Sequence, residues 1–488
     1  MGNLLTTLLS EWSVEGEEKG MTSNEYPEGP SFSLPFLGNM LQLGDDPHHK
    51  LRNMSKKYGK ILSVKLGDRQ AVVLNSMELL REAMVQKGQD FNARAPLKLY
   101  EELASRSNKG LRLAEEPYWR ISRKIADSAL KMVGHEKWEK IIEDEAKTLI
   151  ATLKEIEDRR FDPAPDLDFA VTNVMCTALF STRYKRDDKE FLMLYQNQRV
   201  INDNIWKSSP QDYFSFIKYL PDSDKTTDFR LAVAARDAFF HRKLMEHKST
   251  FQHDRIRDVT DALIKARMEV QADIPDITIG DEYLEVLIWD LFDGACATTA
   301  AVIKWLLVYL LNFSHVQDKV HQELQSVLGD DPVTVADRVR LPYLQATILE
   351  TLRLSPPLPL TVPHRATLTS KITQYNIPKD TIIILNLWAM QRDPDVFLDA
   401  EVFMPDRFID PDTNHLYPLS SMNFQPFGAG PRRCPGESFA MMQLFLFTSF
   451  LLHQYNVELA PGGVMPSTTG ELQKVLQPEP YQIVLHSR

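Results

Sequence analysis

From about residue 115 to 330, apolar residues recur every three or four positions, which predicts a run of helices with few strands. The longest periodic stretch spans about Glu282 to Phe313. Its second half, WLLVYLL, is apolar almost all round, so it predicts a buried central helix. Asp290, Asp293 and Lys304 interrupt the stretch, which argues against a membrane span. Two other runs read differently. Ile61 to Leu66 and Gln70 to Leu74 flank Gly67–Asp68, a strand–turn–strand signal. After residue 355 the chain is proline-rich and extended (SPPLPLTVPH), and TIIILNLW follows as a predicted strand. A last helix, with MMQLFLFTSFLL as its apolar body, should follow Pro435. The pattern predicts a mainly α fold with small β-sheets, and no internal repeat interrupts it.

Composition narrows the function. The chain has 488 residues, 43% of them hydrophobic and 25% charged, an ordinary globular balance. A size of ~100–200 residues per domain would allow about three domains. Large enzymes also fold as one unit, and residues 27–488 read as one catalytic body. Residues 1–26 read as a mobile acidic tail without a spanning helix, since a span needs ~20 apolar residues. Gly2 with Thr6 fits the loose myristoylation pattern. The formal net charge of −11 disfavours a nucleic-acid partner, because phosphate binding needs a basic surface. Three widely spaced cysteines, Cys176, Cys296 and Cys434, form neither a disulfide framework nor a CxxC zinc pattern.

The segment from Phe427 to Gly436, FGAGPRRCPG, is the richest in chemistry. Gly428, Gly430 and Gly436 allow backbone shapes closed to other residues and close approach to a flat ligand. Cys434 precedes Pro435 at an expected helix start, where proline is tolerated. A thiol there should have a lowered pKa, and Arg432 and Arg433 add positive charge. A thiolate is the form that binds metal. The alternative is a structural cysteine in a turn.

This segment resembles the haem-binding signature of the cytochrome P450 family, matched by Phe427, Gly430, Arg432, Cys434 and Gly436. The resemblance continues in order along the chain. Glu350-Thr-Leu-Arg353 resembles the family's Glu-x-x-Arg motif, and Phe403-Met-Pro-Asp-Arg407-Phe its aromatic-Pro-x-Arg-Phe segment. These imply a buried scaffold of Glu350, Arg353 and Arg407. Trp119 and Arg123, one helical turn apart, resemble a pair that holds a haem propionate, and His364 a second propionate contact. The resemblance spans about residues 27–488 and is strongest to the animal microsomal hydroxylases of drugs and steroids. It implies haem b between the central helix and the cysteine loop, with Cys434 as the axial thiolate.

The implied reaction is insertion of one oxygen atom of O2 into a lipophilic small molecule of steroid, fatty acid or xenobiotic type. On the central helix the family usually carries an acid before its threonine. This chain reads Gly294-Ala-Cys-Ala297-Thr298, with Ala297 in place of the acid. Thr298 should bond a carbonyl one turn back and open the helix for water. Asp293, four residues before Ala297, is the candidate substitute acid, acting through that water. The expected pocket draws on residues 94–113, including Leu97 and Leu99, on the central helix, on residues 357–362 and on the turn at Ser467–Thr469. With no flavin or dinucleotide motif, electrons should come from an NADPH-dependent flavoprotein reductase, with cytochrome b5 as a second donor. Arg120, Arg123, Lys124, Lys131, Arg432 and Arg433 form a basic docking patch. Family relatives imply the cytosolic face of the endoplasmic reticulum membrane, with peripheral membrane contact here. Two rival readings remain: an isomerase or dehydratase acting on a peroxide, which Ala297 favours and Thr298 disfavours, and a non-catalytic haem-binding protein.

Overall fold

Asp281–Asn312 folds as one 32-residue helix, here α8, within a computed structural model that describes residues 26–488 apart from 32, 35–36, 97–102, 104–108 and 206–223. The tail with its Gly2–Thr6 pattern, and Leu97 and Leu99, lie outside the described residues. Helix α8 is long and apolar enough to cross a membrane, but 72% of its apolar window is buried inside the protein. Its charges have interior partners: Lys304 meets Asp168 at 2.9 Å and Asp290 meets Arg112 at 3.2 Å. Gly280 caps its start, and Asp281 and Glu282 in the first turn complement the helix dipole.

Among the described residues, seven helices of twelve residues or more precede it: α1 (Pro47–Tyr58), α2 (Tyr118–Val133), α3 (His135–Lys154), α4 (Ala164–Phe180), α5 (Lys189–Ile205), α6 (Asp224–Thr250) and α7 (Val259–Asp273). Helices α9 (Ser314–Leu328), α10 (Pro342–Leu354), α11 (Leu387–Met390) and α12 (Glu437–Gln454) follow. Helices α4, α10 and α12 pack along α8 and share one apolar core with it. Burial is the dominant favourable term for such a helix, which is apolar on every face.

A five-stranded sheet stands at the edge, in the order β1 (Ile61–Leu66), β2 (Arg69–Leu74), β5 (Ile382–Leu385), β4 (His364–Arg365) and β3 (Ala93–Arg94). The β1–β2 hairpin forms as the pattern predicts, with Gly67 at φ +62° in the turn. The register sets Arg94 opposite His364. The predicted strand TIIILNLW is cut short. Asn386 accepts a hydrogen bond from the Ala389 N–H and caps α11, so Trp388 becomes helical. Strands β6 (Tyr455–Leu459) and β9 (Ile483–Ser487) pair antiparallel, and β7 (Glu471–Leu472) pairs with β8 (Leu476–Gln477).

Candidate active site

The cysteine loop is held by its own backbone. The Cys434 N–H donates to the Phe427 carbonyl at 3.0 Å. Gly430 has φ +72°, and a Cβ there would lie 1.8 Å from the Met84 carbonyl oxygen, so only glycine fits. Helix α12 begins at Glu437, three residues after Cys434. The thiol expected to have a lowered pKa has a raised one. Burial pushes the Cys434 thiol up, and the Gly436 N–H and the charge of Arg123 only oppose that. The positive charge of a bound metal would favour the thiolate.

Beside the loop lies a cationic pocket. The Arg432 guanidinium stacks on Trp119, 4.2 Å from the ring centroid. It donates to the carbonyls of Asn92, Leu111 and Ala114 at 3.2, 3.1 and 2.5 Å. No carboxylate pairs with it among the described residues, and burial with the nearby charge of Arg94 lowers its pKa to about 8. A half-buried guanidinium lacking an anion favours one, and a ligand bearing carboxylates fits the place. Haem, with two propionates, meets that requirement.

Arg123 is already engaged, with Asp127 at 2.9 Å and with the Arg433 carbonyl at 2.8 Å. It thereby ties α2 to the cysteine loop. His364 bonds the Phe91 carbonyl through Nδ1 at 3.0 Å. Burial and Arg94 push its pKa well down. Arg94, which sequence reasoning placed only within a pocket segment, is the donor beside it. It reaches the Arg112 and Val362 carbonyls at 2.9 and 2.6 Å. Only the β3–β4 register brings it there.

Behind the loop, Glu350, Arg353 and Arg407 form the expected scaffold. Arg353 grips Glu350 in a fork at 2.7 and 2.8 Å, and Arg407 adds a bond at 3.1 Å. The remaining Arg353 donors reach the Gln391, Ala400 and Val402 carbonyls. Every member is satisfied, as a buried network must be.

On α8, Gly294 stands in open space and Ala295 to Thr298 stay half-exposed, although the helix around them is buried. The Thr298 hydroxyl donates to the Gly294 carbonyl at 2.6 Å, as expected. Asp293 departs from its expected role. Its side chain is fully enclosed: Arg112 pairs with it at 2.5 Å, and Lys474 and Gln198 donate to its other oxygen. Burial would raise its pKa, but the two cations outweigh burial and hold it well below the usual carboxylate range. A carboxylate fixed in its charged form between two cations is no proton relay.

The turn expected at Ser467–Thr469 also lies elsewhere. Thr468 and Thr469 line a separate cavity of about 300 Å³ with Tyr309, Trp388 and Arg392. Asn312 donates to the Pro466 carbonyl at 3.1 Å, which places the turn at the far end of α8, ~27 Å along the axis from Gly294. The β7–β8 turn, with Lys474, occupies the position beside Asp293 instead.

Comparison with known proteins agrees with this geometry. The sequence model described as "Cytochrome P450" matches residues 27–485. The chain is 36% identical over 466 residues to a steroid 17-alpha-hydroxylase/17,20 lyase of Rana dybowskii, covering 93% of this chain and 89% of that one. It is 32% identical over 458 residues to a cytochrome P450 1A1 of Felis catus, covering 91% and 87%. A zebra fish cytochrome P450 solved with progesterone superposes with a TM-score of 0.81 at 28% identity, over 90% of this chain and 99% of the other. The chain belongs to the cytochrome P450 family.

Proposed function

We propose that this monooxygenase, whose prosthetic group is haem b, inserts one oxygen atom of O2 into a steroid-like substrate. The 17-alpha-hydroxylase relatives support the substrate class. One observation carries the reaction type: Thr298 bonds the Gly294 carbonyl in a stretch of α8 left open within a buried helix. With its proton on the Gly294 carbonyl, the hydroxyl can accept a hydrogen bond from a water and so position that water as a proton donor, which a peroxide isomerase does not need.

Bound haem supplies the iron at which O2 is reduced. Cys434 would bind that iron, which the Gly436 N–H assists by hydrogen-bonding the sulfur. Arg432 and Arg94 would bind the propionates, and Trp119 holds Arg432 by stacking. Arg123, on the Arg433 carbonyl, and His364, on the Phe91 carbonyl, stand beside them as further propionate contacts, and Phe427 receives the Cys434 N–H on its carbonyl.

Electrons come from a redox partner, and we assign its docking to the groove of about 420 Å³ on α2. Arg120, Arg123, Lys124 and Lys131 line that groove. The partner is read as an NADPH-dependent flavoprotein reductase, with cytochrome b5 as a second donor, at the cytosolic face of the endoplasmic reticulum membrane. A reduced CO-difference spectrum tests thiolate ligation. Turnover with reductase and NADPH, against turnover with a hydroperoxide alone, tests the reaction. The expected result is a thiolate band and NADPH-dependent product. Product from the hydroperoxide alone would favour the isomerase reading that Ala297 keeps open.

A further inference from the structure

The charges around Asp293 come from four remote parts of the chain. Arg112 lies in the loop before α2, Gln198 on α5, Asp290 and Asp293 on α8, and Lys474 in the β7–β8 turn. Asp290 accepts from Arg112 at 3.2 Å and from the Leu111 N–H at 2.7 Å. Two cations balance two carboxylates, and Arg236, which shares the Trp289 ring with Arg112, is itself paired with Asp237 at 2.6 Å, so the cluster sums to zero. The members differ in one respect. The carboxylate side chains are 0% and 4% exposed, whereas Lys474 keeps 11% and Arg112 19%.

Lys474 has donors to spare. An ammonium carries three N–H groups, and its one hydrogen bond among the described residues goes to Asp293. Its turn is clamped at the interior, where the Leu476 N–H donates to the Pro357 carbonyl at 2.9 Å. Lys474 also sits near Cys296, within the opened stretch of α8. Lys474 therefore lies beside the opened stretch of α8.

We propose that Lys474 is a specificity-determining residue, whose ammonium donates a hydrogen bond to a ketone or hydroxyl oxygen at one end of an otherwise apolar substrate. Asp293 and Arg112 act as positioning residues that fix its direction. Because the four charges already cancel, the site asks for a neutral acceptor and not for an anion. A hydrocarbon of the same shape would leave the ammonium donors unmet inside the protein, and that asymmetry is the source of selectivity. The proposal rests on the steroid-hydroxylase reading above and names the end of the substrate that the protein recognises.

Calorimetric titration of the holoenzyme with progesterone, and with its oxygen-free parent hydrocarbon pregnane, tests it. Wild type should prefer progesterone by about ten- to hundredfold, the scale of one hydrogen bond to a charged group. Lys474→Met should lose that preference while pregnane affinity stays unchanged, and Lys474→Arg should keep most of it. Equal affinities in wild type, or equal losses for both ligands in Lys474→Met, would overturn the proposal. Should Lys474→Met not accumulate as holoenzyme, Lys474→Gln decides, with an expected partial loss of preference; an unchanged preference overturns the proposal. Failure of the monooxygenase reading looks different: binding still prefers progesterone, but NADPH and reductase give no product.

Discussion

The cysteine loop and the open stretch of α8 serve one cofactor, yet the protein completes them to different degrees. Around Cys434 the polar groups end on named protein partners: Cys434 on Phe427, Arg432 on three carbonyls, Glu350 on two arginines. At Gly430 there is no room for even a methyl group. Over Gly294 to Thr298 the protein leaves space, with the Thr298 hydroxyl turned back on the Gly294 carbonyl and an alanine where an acid is usual. Its charge is kept one residue away, in the closed Asp293 cluster. A side that holds a cofactor must supply atoms at fixed places. A side that admits O2 and substrate must omit them, so fewer residues are individually constrained.

The largest effect should come from the constrained side. Cys434→Ser should abolish the thiolate band in the reduced CO-difference spectrum and reduce NADPH-dependent turnover to background. A retained band would end the assignment. Next, Glu350→Gln removes the charge that two buried arginines share. It should destabilise the holoenzyme by about 3–5 kcal/mol in thermal or denaturant unfolding, the cost of breaking a buried ion pair. A loss under ~1 kcal/mol would show that the cysteine side is less constrained than its bonds suggest.

The α8 side should respond in chemistry more than in stability. Thr298→Ala should uncouple NADPH consumption from product by about tenfold or more, since a positioned proton donor contributes ~10²–10⁴-fold. Peroxide release beside product formation measures this, with the unfolding midpoint nearly unchanged. Asp293→Asn should leave that coupling ratio as in wild type, because the native carboxylate is already charged and enclosed. A fall in coupling would return Asp293 to the proton path.

The smallest effect concerns His247, remote from both sides. Its Nδ1 lies 2.8 Å from the Lys243 carbonyl and its Nε2 2.9 Å from Asp258, so both nitrogens have an acceptor when the ring is protonated. Burial alone would lower its pKa, but the Asp258 contact outweighs burial and raises it above 6.5. Its stabilising contribution is therefore complete below pH 6.5 and is lost as pH rises through the folded value. The stability gap between wild type and His247→Gln should narrow over that range, while haem binding by both proteins stays the same.

Where function depends on contiguous backbone, the sequence determined it. The loop at Cys434 needs glycines at set intervals, the scaffold needs Glu350 and Arg353 one turn apart, and α8 needs an unbroken apolar face; each is a local pattern. Thr298 was legible for the same reason, since its bond reaches back only one turn. Only the tertiary structure decided the rest. Arg94 became a neighbour of His364 through strand register, Lys474 met Asp293 across 181 positions, and Ser467–Thr469 was carried to the far end of α8. Asp293 shows the reason. Its spacing from Ala297 is local, but its protonation depends on cations brought from distant segments, and that electrostatic environment exists only once the chain has folded.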